Sequence, residues 1–250
     1  MHIRGRRRVP LLAVLVLLSS ACPGLAAQTA QPSQRLTAPG PSGPVDIRKD
    51  PAFRVVLQNP AVRISRIEIS SRTATLLDQH PHDYLLLSLD AGDLQISGYG
   101  STYDLPMQPG EMQVMKAGWP HRIANRGASP ARLLQVEIAR PVHPERPLCG
   151  LTAAPCGGMK FGKTEQGEYS EGVLFETDTT RVLRIELGPG GTLLTHQDRR
   201  DHVLLPLGES HVEVDGEEKP ANQPLWQPGG FARVHNLSKE ALRAFVIEIK

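Results

Sequence analysis

Apolar and polar residues alternate along most of the chain beyond about residue 50. Ile67 and Ile69 flank Glu68, Ile185 and Leu187 flank Glu186, and Val212 and Val214 flank Glu213. A period of two places alternate side chains on opposite faces, which predicts half-buried antiparallel strands. Gly92, Gly98, Gly110, Gly188, Gly208 and Gly216 punctuate these runs, as do Pro106, Pro109, Pro220, Pro224 and Pro228. The same residues argue against helices longer than a turn or two. The expected fold class is therefore all-β.

The pattern also repeats. RISRIEISS at 63–71 matches RVLRIELGP at 181–189, 118 positions later, and ARLLQVEI at 131–138 matches LRAFVIEI at 242–249, 111 positions later. Two matched segments in the same order point to duplicated domains of many short strands, which predict two closed or sandwich-like barrels without exposed sheet edges. The expected organisation is an N-terminal barrel at 51–142, a connecting segment at 143–172 and a C-terminal barrel at 173–250.

The N-terminus departs from this pattern. Arg4, Arg6, Arg7 and Arg8 precede an apolar run from Val9 to Leu18, and small residues including Gly24 and Ala26 follow. This order predicts a secretory signal peptide over 1–26. The run is too short for a membrane span, which needs about 20 apolar residues, and no later stretch is longer. Cys22 allows a lipoprotein reading, but Ser19 stands where such a signal needs Leu. Residues 27–50 are rich in Gln, Pro, Ser, Thr and Gly and read as a flexible linker. The expected destination is the periplasm or the exterior.

Export alters the charge balance. The whole chain carries +2, and residues 1–26 hold four arginines and no acids, so removing them leaves −2. Nothing in the remainder resembles a basic stripe for nucleic acid. Cys149 and Cys156 are the two cysteines beyond residue 26. An even pair in an exported chain predicts a disulfide; a zinc site would need two more ligands, and of these only His143 is near.

The chemistry concentrates in the first unit. In Gln-His-Pro-His-Asp-Tyr at 79–84, a strand conformation would place His80 and His82 on one face, about 6.6 Å apart. His121 follows within KAGWPHRIAN at 116–125. Neutral imidazole suits iron, nickel, copper and zinc, and the alternative is three unrelated histidines.

These residues resemble a cupin domain. The first cupin motif runs Gly, five residues, His-x-His, three or four residues, Glu, six residues, Gly. His80-Pro81-His82 fits it, with Gly92 near the closing glycine. The second runs Gly, five residues, Pro-x-Gly, two residues, His, three residues, Asn. Gly110, Gly118, His121 and Asn125 fall in register, with Lys116 in place of proline. The glutamate is missing, since Leu86 or Leu87 occupies its position. The resemblance implies two tandem jelly-roll barrels, a bicupin, with a divalent transition metal (Fe, Mn, Ni, Cu or Zn) on His80, His82 and His121.

The second unit resembles a cupin in altered form. Gly190, five residues, His196-Gln197-Asp198, three residues, His202, five residues, Gly208 follows the first motif, with Asp198 for the second histidine and His202 for the glutamate. His196, Asp198 and His202 form a second candidate metal site. Setting QPGGFARVHN at 227–236 against 116–125 puts Ala232 on the remaining ligand position. The expected function is an exported metalloenzyme acting on a small molecule, with iron-dependent dioxygenases among the three-histidine cupins. The alternative is a non-catalytic small-molecule or metal-binding module with a degenerate second barrel. The expected partners are a small-molecule ligand, no nucleic acid and no membrane span, with homo-oligomerisation open.

Overall fold

A computed structural model of the chain describes residues 43–139, 146–151, 154–164, 167–195, 200–208, 211–220, 222–230 and 232–250. The expected signal peptide and most of the linker lie outside these residues. Among the described residues the chain is built of strands, with one short 3-10 helix at Ile47–Lys49. The last residues of the expected linker are ordered: Ile47 is buried, and Val45 bridges Asp78.

The strands of the first unit are β1 (Phe53–Gln58), β2 (Val62–Ile69), β3 (Tyr84–Ser88), β4 (Gly92–Gly98), β5 (Ser101–Met107), β6 (Met112–Met115), β7 (His121–Asn125) and β8 (Ala131–Ile138). Three more, β9 (Pro147–Cys149), β10 (Lys160–Thr164) and the first part of β11 (Gly167–Thr177), fall within the expected connecting segment. Then come β12 (Thr180–Leu187), β13 (Thr192–Thr195), β14 (His202–Leu207), β15 (Val212–Val214), β16 (Glu217–Lys219), β17 (Leu225–Gln227), β18 (Ala232–Asn236) and β19 (Leu242–Ile249). Cys149 and Cys156 form a disulfide beside β9.

The two units repeat strand for strand. The larger sheet runs β1-β2-β8-β3-β6 in the first, and β11-β12-β19-β14-β17 lie in the same order in the second. The smaller sheet runs β5-β4-β7, matched by β16-β15-β18. β2 pairs β8 along its length as β12 pairs β19, so the two repeated segments read from the sequence are adjacent strands.

Alternation explains the layers. In β8, Leu134, Val136 and Ile138 face one apolar cluster that also holds Phe175, Val182, Val203, Phe245 and Ile247 of the second unit. Leu133 and Ala131 point the other way, into a cluster with Ile67, Tyr84, Leu86 and Ile96. Leu85 and Leu87 of β3 join the shared cluster, while Tyr84 and Leu86 face inward. A strand buried on both faces reads as a continuous apolar run, which is why Tyr84–Ser88 shows no period of two.

One asparagine braces each unit. Asn125 donates from Nδ2 to the carbonyls of Ile69 (3.0 Å) and Ser129 (2.8 Å), and its Oδ1 accepts from Gly127 N–H (2.9 Å). Asn236 donates to the carbonyls of Leu187 (3.1 Å) and Glu240 (2.7 Å) and accepts from Ser238 N–H (2.9 Å). Both close the turn after the strand they end. Removing either leaves buried carbonyls without donors, at a cost of about 1–3 kcal/mol. Asn125→Ala and Asn236→Ala should each lower the urea midpoint by a comparable amount without changing the slope, as measured by tryptophan fluorescence.

Candidate metal centre

Asp78, His80 and His121 converge inside the first unit, with one ligand atom of each within 4.8 Å of the others. Asp78 and His121 are placed by backbone pairing: Asp78 N–H donates to the His121 carbonyl and His121 N–H to the Asp78 carbonyl, both at 2.9 Å. His80 follows two residues on, where Gly118 N–H donates to its carbonyl at 2.9 Å. Gly118 has φ +80, which a glycine adopts without strain. Asp83 ties the two loops together, accepting from Ala117 N–H (2.8 Å) and pairing with Lys116 (2.6 Å).

The ring nitrogens have defined neighbours. His121 Nδ1 lies 2.9 Å from the Trp119 carbonyl, so this nitrogen carries the proton. Its Nε2 therefore presents a lone pair, which takes the Tyr84 hydroxyl at 2.6 Å. Trp119 stacks on the His121 ring at 5.1 Å between centroids. Gly98 makes room for it: a Cβ there would sit 2.7 Å from the indole. His80 Nε2 is 3.5 Å from Asp78 Oδ1, and its Nδ1 is 3.2 Å from Gln135 Nε2 and 4.0 Å from Glu137 Oε2. Glu137 in turn pairs with Arg63.

Charge is unbalanced in this interior. Asp78 Oδ1, Gln135 Oε1 and Glu137 Oε1 are buried and accept no hydrogen bond. Buried acceptors without partners are costly, and a cation or a further donor between them would relieve the cost. Two imidazoles and a carboxylate are ligands that first-row transition ions accept. The donor set therefore fits a divalent ion.

The site differs from the sequence expectation in one member. His80 and His121 come together as expected, while His82 is half-buried and stands outside the group. The pairing of His80 with His82 assumed a strand, but 81–82 form a bend and β3 begins only at Tyr84. The signal for Asp78 was the repeat itself. Asp78-Gln79-His80, three residues, Tyr84 aligns with His196-Gln197-Asp198, three residues, His202 at the same 118-residue offset as β2 and β12. Tyr84 lines the site at the register of His202 in the same repeat, and Gln135 and Glu137 also line it without a sequence motif.

In the second unit, His196 and Asp198 lie outside the described residues. His202 is buried and opens β14, facing Glu248 as Tyr84 faces Glu137. β18 begins at Ala232, as β7 begins at His121, and alanine offers no ligand atom.

No protein-family model matches the sequence, and no curated protein matches it. Solved structures match in fold. A cupin 2 conserved barrel domain protein from Leptotrichia buccalis is 14% identical over 79% of this chain and 88% of that one, with a TM-score of 0.51. Salicylate 1,2-dioxygenase from Pseudaminobacter salicylatoxidans is 11% identical over 79% and 76%, with a TM-score of 0.55. A single-site variant of oxalate decarboxylase from Bacillus subtilis is 14% identical over 78% and 71%, with a TM-score of 0.54. The chain thus has the fold of cupin proteins.

The two histidines should titrate apart. Burial lowers the His80 pKa, but Asp78 and Glu137 outweigh it and hold the value above 6.5. Burial lowers His121 below 6.5, and the neighbouring His80 adds to this. His80 therefore adds stability that is full below about pH 6.5 and lost as pH rises through its raised pKa. His121 resists protonation, so its contribution is lost as pH falls below about 6.5. Histidine NMR on chelator-treated protein should show one midpoint on each side of 6.5, and Asp78→Asn should move the upper one down.

Proposed function

We propose that the chain is an exported two-barrel cupin that holds a divalent transition ion in its first barrel and acts there on a small molecule. The observation that carries this reading is the buried trio of Asp78, His80 and His121 beside acceptors that lack donors. Two-barrel organisation is supported by the matching strand order of the two units and by structural alignments that extend beyond either unit alone. Export is supported by the basic and apolar N-terminus and by the Cys149–Cys156 disulfide, which suits an oxidising compartment.

The ion would supply Lewis acidity and a template for the substrate. The chain's own residues do the rest. Asp78, His80 and His121 would hold the ion, and the Trp119 carbonyl orients the His121 imidazole by its second nitrogen. Ile67, Ile96 and Leu133 keep the interior dry. A substrate would approach beside His80, through a surface hollow of about 360 Å³ lined by Gln79, Pro81, Ala117 and Gly118. An iron-dependent dioxygenase is the specific activity proposed, since salicylate 1,2-dioxygenase shares this fold.

One observation favours a binding module instead: Asp78, His80 and His121 are each no more than 2% exposed. Turnover would require the loops at 79–83 and 116–118 to part.

Metal content separates the ligand sets. Asp78→Ala and His121→Ala should each weaken metal binding by more than about 100-fold, beyond the 10–100-fold typical of outer partners. His82→Ala should leave binding unchanged. Elemental analysis and calorimetric titration of the purified variants would measure this. Loss of metal with His82→Ala and retention with Asp78→Ala would restore the three-histidine set; no metal in any preparation would leave the binding-module or structural readings.

A further inference from the structure

The geometry points to Tyr84 as a fourth ligand of the first-unit site, its phenol oxygen completing the set of Asp78, His80 and His121. This inference rests on the proposed metal centre.

Tyr84 sits where a ligand would. It is 1% exposed, opens β3 and lies against Glu137 on the inner face of β8. Its oxygen is 2.6 Å from His121 Nε2, the nitrogen left with a lone pair once Nδ1 donates to Trp119. Among the described residues this is the only hydrogen-bond partner of the Tyr84 hydroxyl. An ion taking the Nε2 lone pair removes that partner and leaves the phenol oxygen beside the ion.

The distances suit coordination. Two ligand atoms bonded at about 2.1 Å and at right angles lie about 3.0 Å apart. The Tyr84 oxygen needs to withdraw only a few tenths of an ångström from Nε2 to meet that spacing. It has little freedom to withdraw further. The ring packs on His80 with centroids 4.3 Å apart and runs parallel to His121, and β6 and β8 flank the backbone on both sides. Coordination forms one bond from oxygen to the ion and breaks the O–H bond, with the proton released to solvent.

The repeat carries independent support. The second unit places His202 at the position of Tyr84, at the start of β14 and facing Glu248. Histidine is itself a metal-ligating type, so both units put a residue that can ligate at this register.

Copper(II) titration of the full-length exported protein tests this, with visible absorption and resonance Raman as readouts. Wild type should bind about one copper and develop a phenolate-to-copper charge-transfer band whose Raman spectrum shows phenolate ring modes. Tyr84→Phe should keep a copper site on Asp78, His80 and His121, lose the band, and bind copper more weakly than wild type. Tyr84→His should bind copper without the band, which guards against a folding defect in the first variant. Tyr103→Phe should keep the band. Copper bound without a band in wild type, or a band that survives Tyr84→Phe and Tyr84→His, would overturn the ligand assignment while leaving the metal centre intact. No copper bound by wild type would overturn the metal-centre reading itself, and this inference with it.

Discussion

β8 and β19 are each buried on both faces, and the rest of the molecule is arranged around that constraint. A strand has two faces, so alternate residues must serve two interiors. In β8 the residues Leu134, Val136 and Ile138 seal one unit against the other, and Leu133, Gln135 and Glu137 look into the first unit. Placing Gln135 and Glu137 on the inner face sends two polar groups into an apolar interior. They are tolerated because Arg63 and His80 are brought to meet them. The site is thus a consequence of register: a slip of one residue in β8 would turn the polar pair into the inter-unit core.

Within the site the electrostatics are set by imbalance. Asp78 and Glu137 supply more negative charge than Arg63 alone offsets, and His80 responds by holding its proton more firmly. Burial pushes the Tyr84 phenol well above its ordinary value and lowers His121, so both stay neutral without an ion. A divalent ion held there would take the place of the His80 proton and satisfy the orphan carboxylate oxygen of Asp78. The same buried groups that are costly alone become a ligand set when they share a cation.

The strands that were legible in the sequence are those buried on one face or repeated. The period of two in β2 and β15 and the match of β2 with β12 and β8 with β19 follow from residues that contact one interior or recur in the same order at similar offsets. β3 was not legible, because Leu85, Leu86 and Leu87 are buried on both sides and show no alternation. The site was half legible for a related reason. His80 and His121 stood out as residue types, and His121 lay in a motif with fixed spacing. Asp78 was hidden because an aspartate before a bend looks like ordinary turn chemistry. His82 attracted attention because parity on a strand was assumed for a segment that bends at 81–82.

The matching strand order gives the two halves one scaffold, yet they differ in chemistry. The braces at Asn125 and Asn236 and the arginine–glutamate pairs Arg63–Glu137 and Arg181–Glu248 recur at matching positions, because both units need the same turns closed and the same inward carboxylate compensated. Ligand positions carry no such structural demand. At the first residue of β7 stands a histidine with ligand atoms to offer, whereas at the first residue of β18 an alanine maintains the same strand. The polar surround of the second unit, with Arg181 and Arg200 both within 4 Å of Glu248, already supplies the positive charge that an ion would bring to the first.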